Sequence, residues 1–316
     1  MKTGPIANTI AKNSIRLSIS ERWESPVAGY LFIMPWLLGF ILLRVWPMAQ
    51  SLFYSFTDFN LLETPKWLGI QNYQEMFQDD TFIQSLKVTF TFVFTSVPLK
   101  LIFALWVAML LNQKIKGIGI YRSIIYFPSL IGGSVAISIL WRNIWGISGF
   151  INQVISIVGF EQKNWINNPD TSLSTLVVLV VWQFGSSMVI FLAGLKQIPK
   201  ELYEASSIDG ASKSQQFVNV TLPMLSPLIL FNLVLQLIQS FQSFTQAYII
   251  TEGGPIHSTF MYALYLYESA FSRYRMGYAS ALAWVLLVIV AIITAVIFAS
   301  SRYWVFYGAD NGGKKK

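Results

Sequence analysis

Long apolar stretches alternate with short polar ones along the whole chain. Each apolar stretch is long enough to cross a hydrocarbon core of roughly 30 Å, which takes about 20 residues of helix. Six segments are predicted as transmembrane helices: residues 27–49, 86–111, 124–145, 173–195, 225–249 and 278–300. The pattern therefore predicts an all-α polytopic membrane protein with six spans.

Basic residues divide unequally between the two sides of this arrangement. One side collects Lys2, Lys12, Arg16, Arg22, Lys114, Lys116, Arg122, Lys196, Lys200, Lys213, Arg302 and Lys314–Lys316. The other side carries Lys66, Lys87, Lys163, Arg273 and Arg275. Cytoplasmic loops are enriched in Lys and Arg. We therefore expect a cytoplasmic segment 1–26, a transmembrane domain 27–301 and a cytoplasmic tail 302–316, with the polar segment 199–227, here called the corner loop, also in the cytoplasm.

The composition agrees with a membrane protein and narrows the chemistry. Hydrophobic residues make up 54% of the 316 residues and charged residues 12%, whereas soluble domains are about a quarter charged. The net charge of +7 follows from the loop charges, so no nucleic acid partner is expected. The absence of cysteine excludes disulfides and thiolate metal sites. The single histidine, His257, has no cysteine or carboxylate beside it, so no metal site is expected.

The three segments on the outer side are short, which leaves no room for an inserted folded domain. They cover residues 55–85, 146–172 and 251–277. In the third, aromatic and apolar residues recur at mixed spacing over residues 258–274. This stretch is predicted to be an interfacial helix that lies on the outer membrane face.

The corner loop carries the signals of two short helices joined by a tight corner. The residues from Lys200 to Ile208 are good helix formers, and Asp209-Gly210 ends the first helix. Ser212 with Gln215 three residues later fits a capping box that starts the second. Pro223 is then expected to set the angle at which the chain re-enters the membrane. Carboxylates, Ala and Gly on an exposed corner favour docking of a partner, although an ordinary amphipathic loop would share these features.

The corner loop resembles the EAA loop of binding-protein-dependent ABC import permeases. In that family the loop reads Glu-Ala-Ala, three residues, Gly, nine residues, an aliphatic residue, one residue and Leu-Pro. The matching positions are Glu204, Ala205, Gly210, Val220, Leu222 and Pro223. Two departures are mild, since Ser206 stands for the second Ala and Val220 for the usual Ile. Further co-linear matches resemble the carbohydrate-uptake permeases: Trp182, Ala193-Gly194-Leu195, Ile198-Pro199, Glu201-Leu202-Tyr203, Gly253-Gly254-Pro255 and Gly277-Tyr278-Ala279.

Within those permeases the chain is similar to the larger subunit of maltose transporters, without its large external insert. The resemblance implies the type I ABC importer permease fold in a bacterial cell membrane. It also implies a second homologous permease, an ATPase dimer, an extracellular solute-binding protein and a sugar or oligosaccharide substrate.

The resemblance also assigns roles to residues. The chain has no G-x-x-x-x-G-K-[ST] motif, so ATP and Mg²⁺ are expected in the partner ATPase and no cofactor or catalytic residue in this chain. The residues expected to dock the ATPase are Glu204, Ala205, Asp209, Gly210, Ala211 and Phe217. The residues expected to contact the binding protein are Gly253, Gly254, Pro255 and His257.

Polar residues inside spans are costly and mark functional surfaces. On the fifth predicted span, such residues recur at i, i+3, i+4 and i+7, which places them on one helix face: Gln236, Gln239, Ser240 and Ser243. Phe241 and Gln246 flank this stripe, and Gln183 is the facing polar residue on the fourth span. Amides and hydroxyls beside aromatic rings suit a sugar, and in the resembling permeases this stretch lines the sugar site. Hydrogen bonding to the partner permease is the alternative.

Besides Lys87 at the very start of the second span, three charged residues lie within the predicted spans. Lys100 follows Pro98 in mid-span and is expected to reach either a carbonyl freed by the proline kink or an interior cavity. Arg44 and Arg142 lie toward the outer ends, where snorkelling accounts for them. If both instead line the cavity, the substrate is an acidic saccharide such as a uronate oligomer.

The predicted spans contain no Asp or Glu. Proton- and sodium-coupled carriers usually need intramembrane carboxylates for their coupling ion, so an external energy source is favoured. The leading hypothesis is one permease subunit of an ATP-driven sugar importer. Two alternatives stay open: a membrane-embedded enzyme that acts on lipid-linked sugars, and a uniporter or channel that works without ATP.

Overall fold

The computed structural model describes residues 26–113 and 116–307, and the regular structure in these ranges is helical. The β-type pairing within them is one isolated antiparallel bridge between Thr57 and Trp67. Residues 1–25 of the predicted cytoplasmic segment, Lys114, and residues 308–316 of the predicted tail lie outside the described ranges.

The described helices include six segments long and apolar enough to cross a membrane, when each bent pair of helices counts as one. Four are continuous and two are bent. They are span 1, Gly29–Tyr54; span 2, Asp80–Leu111; span 3, Ile118–Ile131 with Val135–Ile144; span 4, Pro169–Trp182 with Gly185–Gln197; span 5, Lys213–Phe241; and span 6, Met276–Trp304. The shorter helices are Gln71–Gln78, Phe150–Ile157, Lys200–Ile208 and Tyr262–Tyr267. This agrees with the predicted six-span organisation.

The structure corrects the prediction of one uninterrupted third span over residues 124–145. The two helices of span 3 meet at 99°. The first ends at Ile131 and is followed by Gly132 as its C-cap. The second starts from Ser134, whose hydroxyl accepts a 3.3 Å hydrogen bond from the N–H of Ile137. Hydropathy merged the two halves into one apolar run, but Gly132-Gly133 followed by an N-capping serine is a stop and a new start.

Span 5 begins earlier and ends earlier than predicted. The second helix of the corner loop, Lys213–Gln216, continues through a π-helical turn, Phe217–Thr221, directly into Leu222–Phe241. Pro223 lies in the first turn of this last part, where a proline's missing N–H is tolerated, so it continues the helix and makes no corner. A separate π-helical turn, Ala247–Thr251, follows the end of the span.

Span 2 is the central helix of the bundle. It packs against both halves of span 4 and against span 5, and Val93, Ala104 and Ala108 on it are fully buried. Since lipid is as apolar as a protein core, transmembrane helices are held together by close packing. Gly194 allows spans 4 and 5 to pack closely. A Cβ at this position would lie 2.2 Å from the side chain of Leu228.

Span 1 lies at the edge of the bundle. None of residues 29–54 is buried, and the C-terminal part of this helix, Trp46–Tyr54, packs against span 6. Arg44 is exposed on span 1 and lines none of the described cavities.

The helix Tyr262–Tyr267 is inserted into the bundle, which corrects the prediction of a surface-lying helix over residues 258–274. Tyr262 and Tyr265 are at most 1% exposed. The N–H of Tyr262 donates to the hydroxyl of Thr89 in span 2 (2.8 Å), and its own hydroxyl donates to the carbonyl of Leu282 in span 6 (2.7 Å). Because the phenol groups find partners inside the bundle, these aromatic residues serve as packing rather than as a membrane anchor.

Candidate functional site

The corner loop turns at Gly210, as predicted. Gly210 follows helix Lys200–Ile208 and has φ of 79°, a left-handed conformation that glycine adopts without strain. Its N–H donates to the carbonyl of Ser207 (3.1 Å), and the N–H of Ala211 donates to the carbonyl of Ser206 (2.9 Å). These two bonds form a Schellman motif, which closes the end of the helix. The predicted capping box of Ser212 is also present.

A buried glutamine that the sequence analysis did not single out joins the two helices of the corner loop. Gln216 is 4% exposed, and its amide nitrogen donates to the carbonyl of Tyr203 (3.3 Å). The same nitrogen donates to the hydroxyls of Ser206 (3.2 Å) and Ser207 (2.8 Å). Ser206 is therefore a hydrogen-bonding partner. The signal in the sequence was weak, because a glutamine beside a capping box is usually solvated.

The predicted docking residues of the corner loop divide into an exposed and a supporting set. The exposed ones are Glu204, Ala205, Asp209 and Gly210, while Ala211 and Phe217 are half-buried. Neither Glu204 nor Asp209 forms an ion pair with any described residue. Beside them Ile208 is 87% exposed. An exposed aliphatic side chain flanked by unpaired carboxylates is suited to a partner with an apolar groove and basic rim.

Six of the seven residues predicted to line a substrate path surround one cavity of about 230 Å³ between spans 2, 4 and 5. They are Gln183, Gln236, Gln239, Ser240, Ser243 and Gln246. The structure adds Phe92, Lys100, Val180, Gln242, Phe244 and Thr245 to the lining. We call this space the glutamine cavity.

Phe241, the seventh residue, lies in the hydrophobic core and does not line the glutamine cavity. It is 2% exposed and packs edge-on against Phe90, with ring centroids 5.4 Å apart. Successive residues of an α-helix are rotated by about 100° around its axis. Phe241, directly after Ser240, therefore points to another side of the span. Ser243 reaches the cavity although the helix ends at Phe241, because its N–H bonds to the carbonyl of Ser240 (3.1 Å) and keeps the chain turning.

The polar side chains of the glutamine cavity have unused hydrogen-bonding capacity. Within the described ranges, seven of the uncharged ones have no side-chain hydrogen bond: Gln236, Gln239, Ser240, Gln242, Ser243, Thr245 and Gln246. Gln183 donates from its amide nitrogen to the carbonyls of Gly132 (3.1 Å) and Leu179 (3.3 Å), which leaves its amide oxygen for another partner. These unpaired amides and hydroxyls are available to a polar ligand or to a polar partner surface.

A second cavity, of about 510 Å³, lies nearer the outer segments, and we call it the outer cavity. Arg142 lines it and donates to the carboxylate of Glu252 (2.9 Å) and to the carbonyl of Ile249 (3.3 Å). Glu268 lines it as well. Arg142 is thus paired with an acidic group of its own chain. The condition that Arg44 and Arg142 both line the substrate cavity is not met.

A row of four aromatic rings leads from the glutamine cavity to the outer cavity. Phe244 lines the first cavity, and Tyr248, Tyr267 and Phe271 line the second. The ring centroids of Phe244 and Tyr248 are 5.2 Å apart, those of Phe244 and Tyr267 4.8 Å, and those of Tyr267 and Phe271 5.1 Å. The two cavities are therefore joined by a continuous aromatic surface.

The turn after span 5 holds the residues predicted to contact a binding protein: Gly253, Gly254, Pro255 and His257. Gly253 is buried, because a Cβ there would lie 2.5 Å from the ring of Phe260. The Gly254–Pro255 peptide is cis. His257 is exposed, and its neighbour Ile256 is 87% exposed. A partner protein can therefore contact Ile256 and His257, whereas the preceding Gly-Gly-Pro segment is buried or half-buried.

A carboxylate at the start of span 2 ties the outer helices together. Asp79 caps this span by accepting from the N–H of Thr81 (2.8 Å) and accepts a short hydrogen bond from the hydroxyl of Tyr265. Burial acts to raise the pKa of Asp79, but the bonds from Tyr265, Thr81 and Tyr278 outweigh it, and the pKa is lowered. Nearby, Arg275 pairs with Glu75 at 2.7 Å.

Comparisons with known proteins agree with this architecture. Residues 79–305 match the family described as "Binding-protein-dependent transport system inner membrane component". The chain is 55% identical over 285 residues to the probable ABC transporter permease protein YesP of Bacillus subtilis, covering 89% of this chain and 92% of that one. It is 32% identical to the trehalose/maltose transport system permease protein MalF of Thermococcus litoralis, over 91% and 98% of the two chains.

Solved structures share the fold. A chain from the crystal structure of a bacterial alginate ABC transporter, in complex with a periplasmic protein that binds alginate pentasaccharide, superposes with a TM-score of 0.77. The match covers 89% of this chain and 96% of that one at 20% identity.

Proposed function

The chain belongs to the family of binding-protein-dependent transport system inner membrane components, and on this premise we propose that it is one permease subunit of an ATP-driven importer of oligosaccharides. It is a multi-pass membrane protein with the fold of type I ABC importer permeases. The observation that carries the sugar assignment is the set of unpaired amides and hydroxyls in the glutamine cavity.

The chemistry of the glutamine cavity suits a saccharide. A glutamine amide both donates and accepts, so it can bind either role of a sugar hydroxyl. Gln236, Gln239 and Ser240 offer such groups from span 5. The rings of Phe92 and Phe244 line the same space and can pack against the C–H faces of a pyranose. Uncharged polar groups bind through single hydrogen bonds of modest strength, which a substrate in transit can break.

Span 5 provides a direct connection between the corner loop and the substrate. It runs as one helix from Lys213, next to the Gly210 turn, to Gln236 and Gln239 in the cavity. At 1.5 Å per residue, Lys213 and Gln236 are about 35 Å apart along the helix axis. In the proposed mechanism an ATPase dimer, which binds ATP and Mg²⁺, holds the Glu204 face of the corner loop. Its closure on ATP tilts span 5, and the cavity opens outward.

The proposal also assigns orientation and partners. Both termini and the corner loop are proposed to face the cytoplasm, which the distribution of Lys and Arg supports. The Ile256–His257 turn then faces outward, where an extracellular solute-binding protein delivers the sugar. A second, homologous permease covers the open side of the glutamine cavity, and lipid covers the exposed side of span 1.

Reconstitution of the complete transporter in proteoliposomes tests this function. ATP-dependent uptake of a labelled oligosaccharide is expected to fall with Gly210→Val, because a β-branched residue is strained at φ of 79°. Gly210→Asn is the matched control, since asparagine tolerates this conformation and no atom lies within 4 Å of a new Cβ. Glu204→Lys is expected to reduce capture of the ATPase, whereas Glu161→Lys, at an exposed outer position, is not.

Two results would reject the proposal. Uptake that persists without any ATPase would identify a uniporter or channel. Turnover of a lipid-linked sugar by this chain, with no uptake, would identify an enzyme.

A further inference from the structure

Lys100 is a buried lysine in the middle of span 2. It is 6% exposed and follows Pro98 in the sequence. It lines the glutamine cavity together with Gln183 of span 4 and Gln236 of span 5. The sequence predicts that Lys100 reaches either a carbonyl freed by the proline kink or an interior cavity. In the structure it lines the cavity.

No partner for Lys100 exists in the described part of the chain. It makes no hydrogen bond or ion pair there, and none of the residues that line the glutamine cavity is a carboxylate. Two other basic residues are paired within the chain: Arg142 with Glu252 and Arg275 with Glu75. A charged side chain inside a membrane protein is costly and is retained where it has a partner or a role. A partner for Lys100 is therefore sought outside the described part of the chain.

We propose that Lys100 binds the carboxylate of the transported saccharide, so that the importer selects oligosaccharides that contain a uronic acid. This inference rests on the proposed function and names its substrate class. The surrounding amides bind the hydroxyls of the sugar, while the ammonium group supplies the one charged contact. Lysine suits a passing ligand, because its charge sits on a flexible stem and does not demand the bidentate geometry of arginine.

The cavity geometry agrees with one acidic sugar unit bound at Lys100. At about 230 Å³ the space is smaller than the roughly 300–1,000 Å³ of sites that enclose a drug-sized ligand. The aromatic row from Phe244 to Phe271 leads outward from it. Further units of an oligosaccharide can lie along these rings, where no charge is needed.

Uptake by the assembled transporter with its binding protein, in proteoliposomes, tests the proposal. The probes are a panel of oligomers of glucuronate, galacturonate and mannuronate, and the same oligomers with their carboxyl groups reduced to alcohols. Lys100→Gln is expected to lower uptake of the acidic probes about tenfold or more, the usual worth of a hydrogen bond to a charged group, and to leave the reduced probes unchanged. Lys100→Arg should retain most of the acidic uptake. Lys87→Gln, at an exposed position of the same helix, is the matched control.

Chemical restoration of the charge provides a second measurement. The chain has no cysteine, so Lys100→Cys introduces a unique thiol when the partner subunits are also cysteine-free. Reaction of this thiol with 2-aminoethyl methanethiosulfonate attaches a side chain that again ends in an ammonium group. This modification is expected to restore uptake of the acidic probes. Methyl methanethiosulfonate, which adds no charge, is expected not to.

Three outcomes would overturn the assignment of Lys100. A wild-type transporter that takes up reduced probes and no acidic probe excludes the substrate class while it leaves the sugar importer intact. An equal loss of both probe classes in Lys100→Gln, with a smaller yield of permease heterodimer, would show that Lys100 pairs with a carboxylate of the second permease. Unchanged acidic uptake in Lys100→Gln would show that the lysine has no role. Failure of every saccharide to enter would instead reject the proposed function itself.

Discussion

The side-chain amide of Gln216 donates a 2.8 Å hydrogen bond to the hydroxyl of Ser207 and so joins the two helices of the corner loop across Gly210. The Schellman motif fixes the turn, but the angle between the two helices could still change. The buried side chain of Gln216 restricts this angle, because it is hydrogen-bonded to the first helix. In the proposed mechanism, a corner loop that moves as one piece with span 5 transmits the movement of the ATPase to the glutamine cavity.

We expect Gln216→Leu to uncouple ATP use from transport. Leucine has similar bulk but cannot donate, so the carbonyl of Tyr203 and two serine hydroxyls lose a buried donor, at a cost of about 1–3 kcal/mol. ATP-dependent uptake should fall severalfold, and limited proteolysis should cut the corner loop faster. Ser214→Ala, at an exposed position of the same helix, is the control. Unaltered proteolysis and uptake would show that the Schellman motif alone fixes the corner.

Phe241 and Gln239 lie two residues apart on span 5 and are expected to respond in opposite ways to substitution. Phe241→Ala removes a core side chain that packs on Phe90, a loss of about 3–5 kcal/mol of stability. Its thermal unfolding temperature in detergent should drop, while sugar affinity of the surviving protein stays the same. Gln239→Leu should leave the unfolding temperature unchanged and weaken sugar-stimulated ATPase activity. The reverse pattern would place Phe241, and not the glutamine stripe, at the substrate.

Helical periodicity predicted most of the glutamine cavity and failed where the helix stops. Gln236, Gln239 and Ser240 share a face because span 5 is regular through them. The same rule assigned Ser243 to that face by an i+7 relation, but the helix ends at Phe241 and a turn delivers Ser243 instead. Lys100 was found as a charge within a span, yet its meeting with the stripe depends on how spans 2, 4 and 5 pack, which no local pattern contains.

Hydropathy predicted the number of spans but not their shape. It averages over about 20 residues, so the two-residue break at Gly132-Gly133 disappeared into one apolar run. It also could not distinguish an interfacial helix from a buried one at Tyr262 and Tyr265. Both kinds of helix use amphipathic aromatic residues. The hydrogen bonds of Tyr262 to Thr89 and Leu282 show that this helix is the buried kind.

Gly277 is expected to tolerate no side chain. A Cβ there would lie 2.1 Å from the carbonyl oxygen of Thr57, and backbone atoms cannot rotate away. The N–H of Gly277 also donates to the carbonyl of Phe59 (2.9 Å), which fixes the start of span 6 against the first outer segment. Gly277→Ala should therefore reduce the yield of folded protein in detergent. Gly39→Ala, where nothing lies within 4 Å of the new Cβ, should have no effect, and equal yields of the two variants would contradict the close approach.

Asp79 is expected to make the stability of the outer helices depend on acid pH. Its folded-state pKa lies below the ordinary value of 3.8, since the hydrogen bonds from Tyr265 and Thr81 favour the carboxylate over the effect of burial. A depressed carboxyl pKa stabilises the fold above the unfolded-state pKa, and this contribution is lost as pH falls through the folded-state value. Tyr265→Phe removes one of these bonds. At neutral pH it should unfold at a lower temperature than the wild type, and the difference should shrink below about pH 4, the unfolded-state pKa of an aspartate. Tyr248→Phe, which alters an exposed phenol outside this network, should show no such convergence. A difference for Tyr265→Phe that stays constant down to pH 3 would mean that the phenol acts through packing alone.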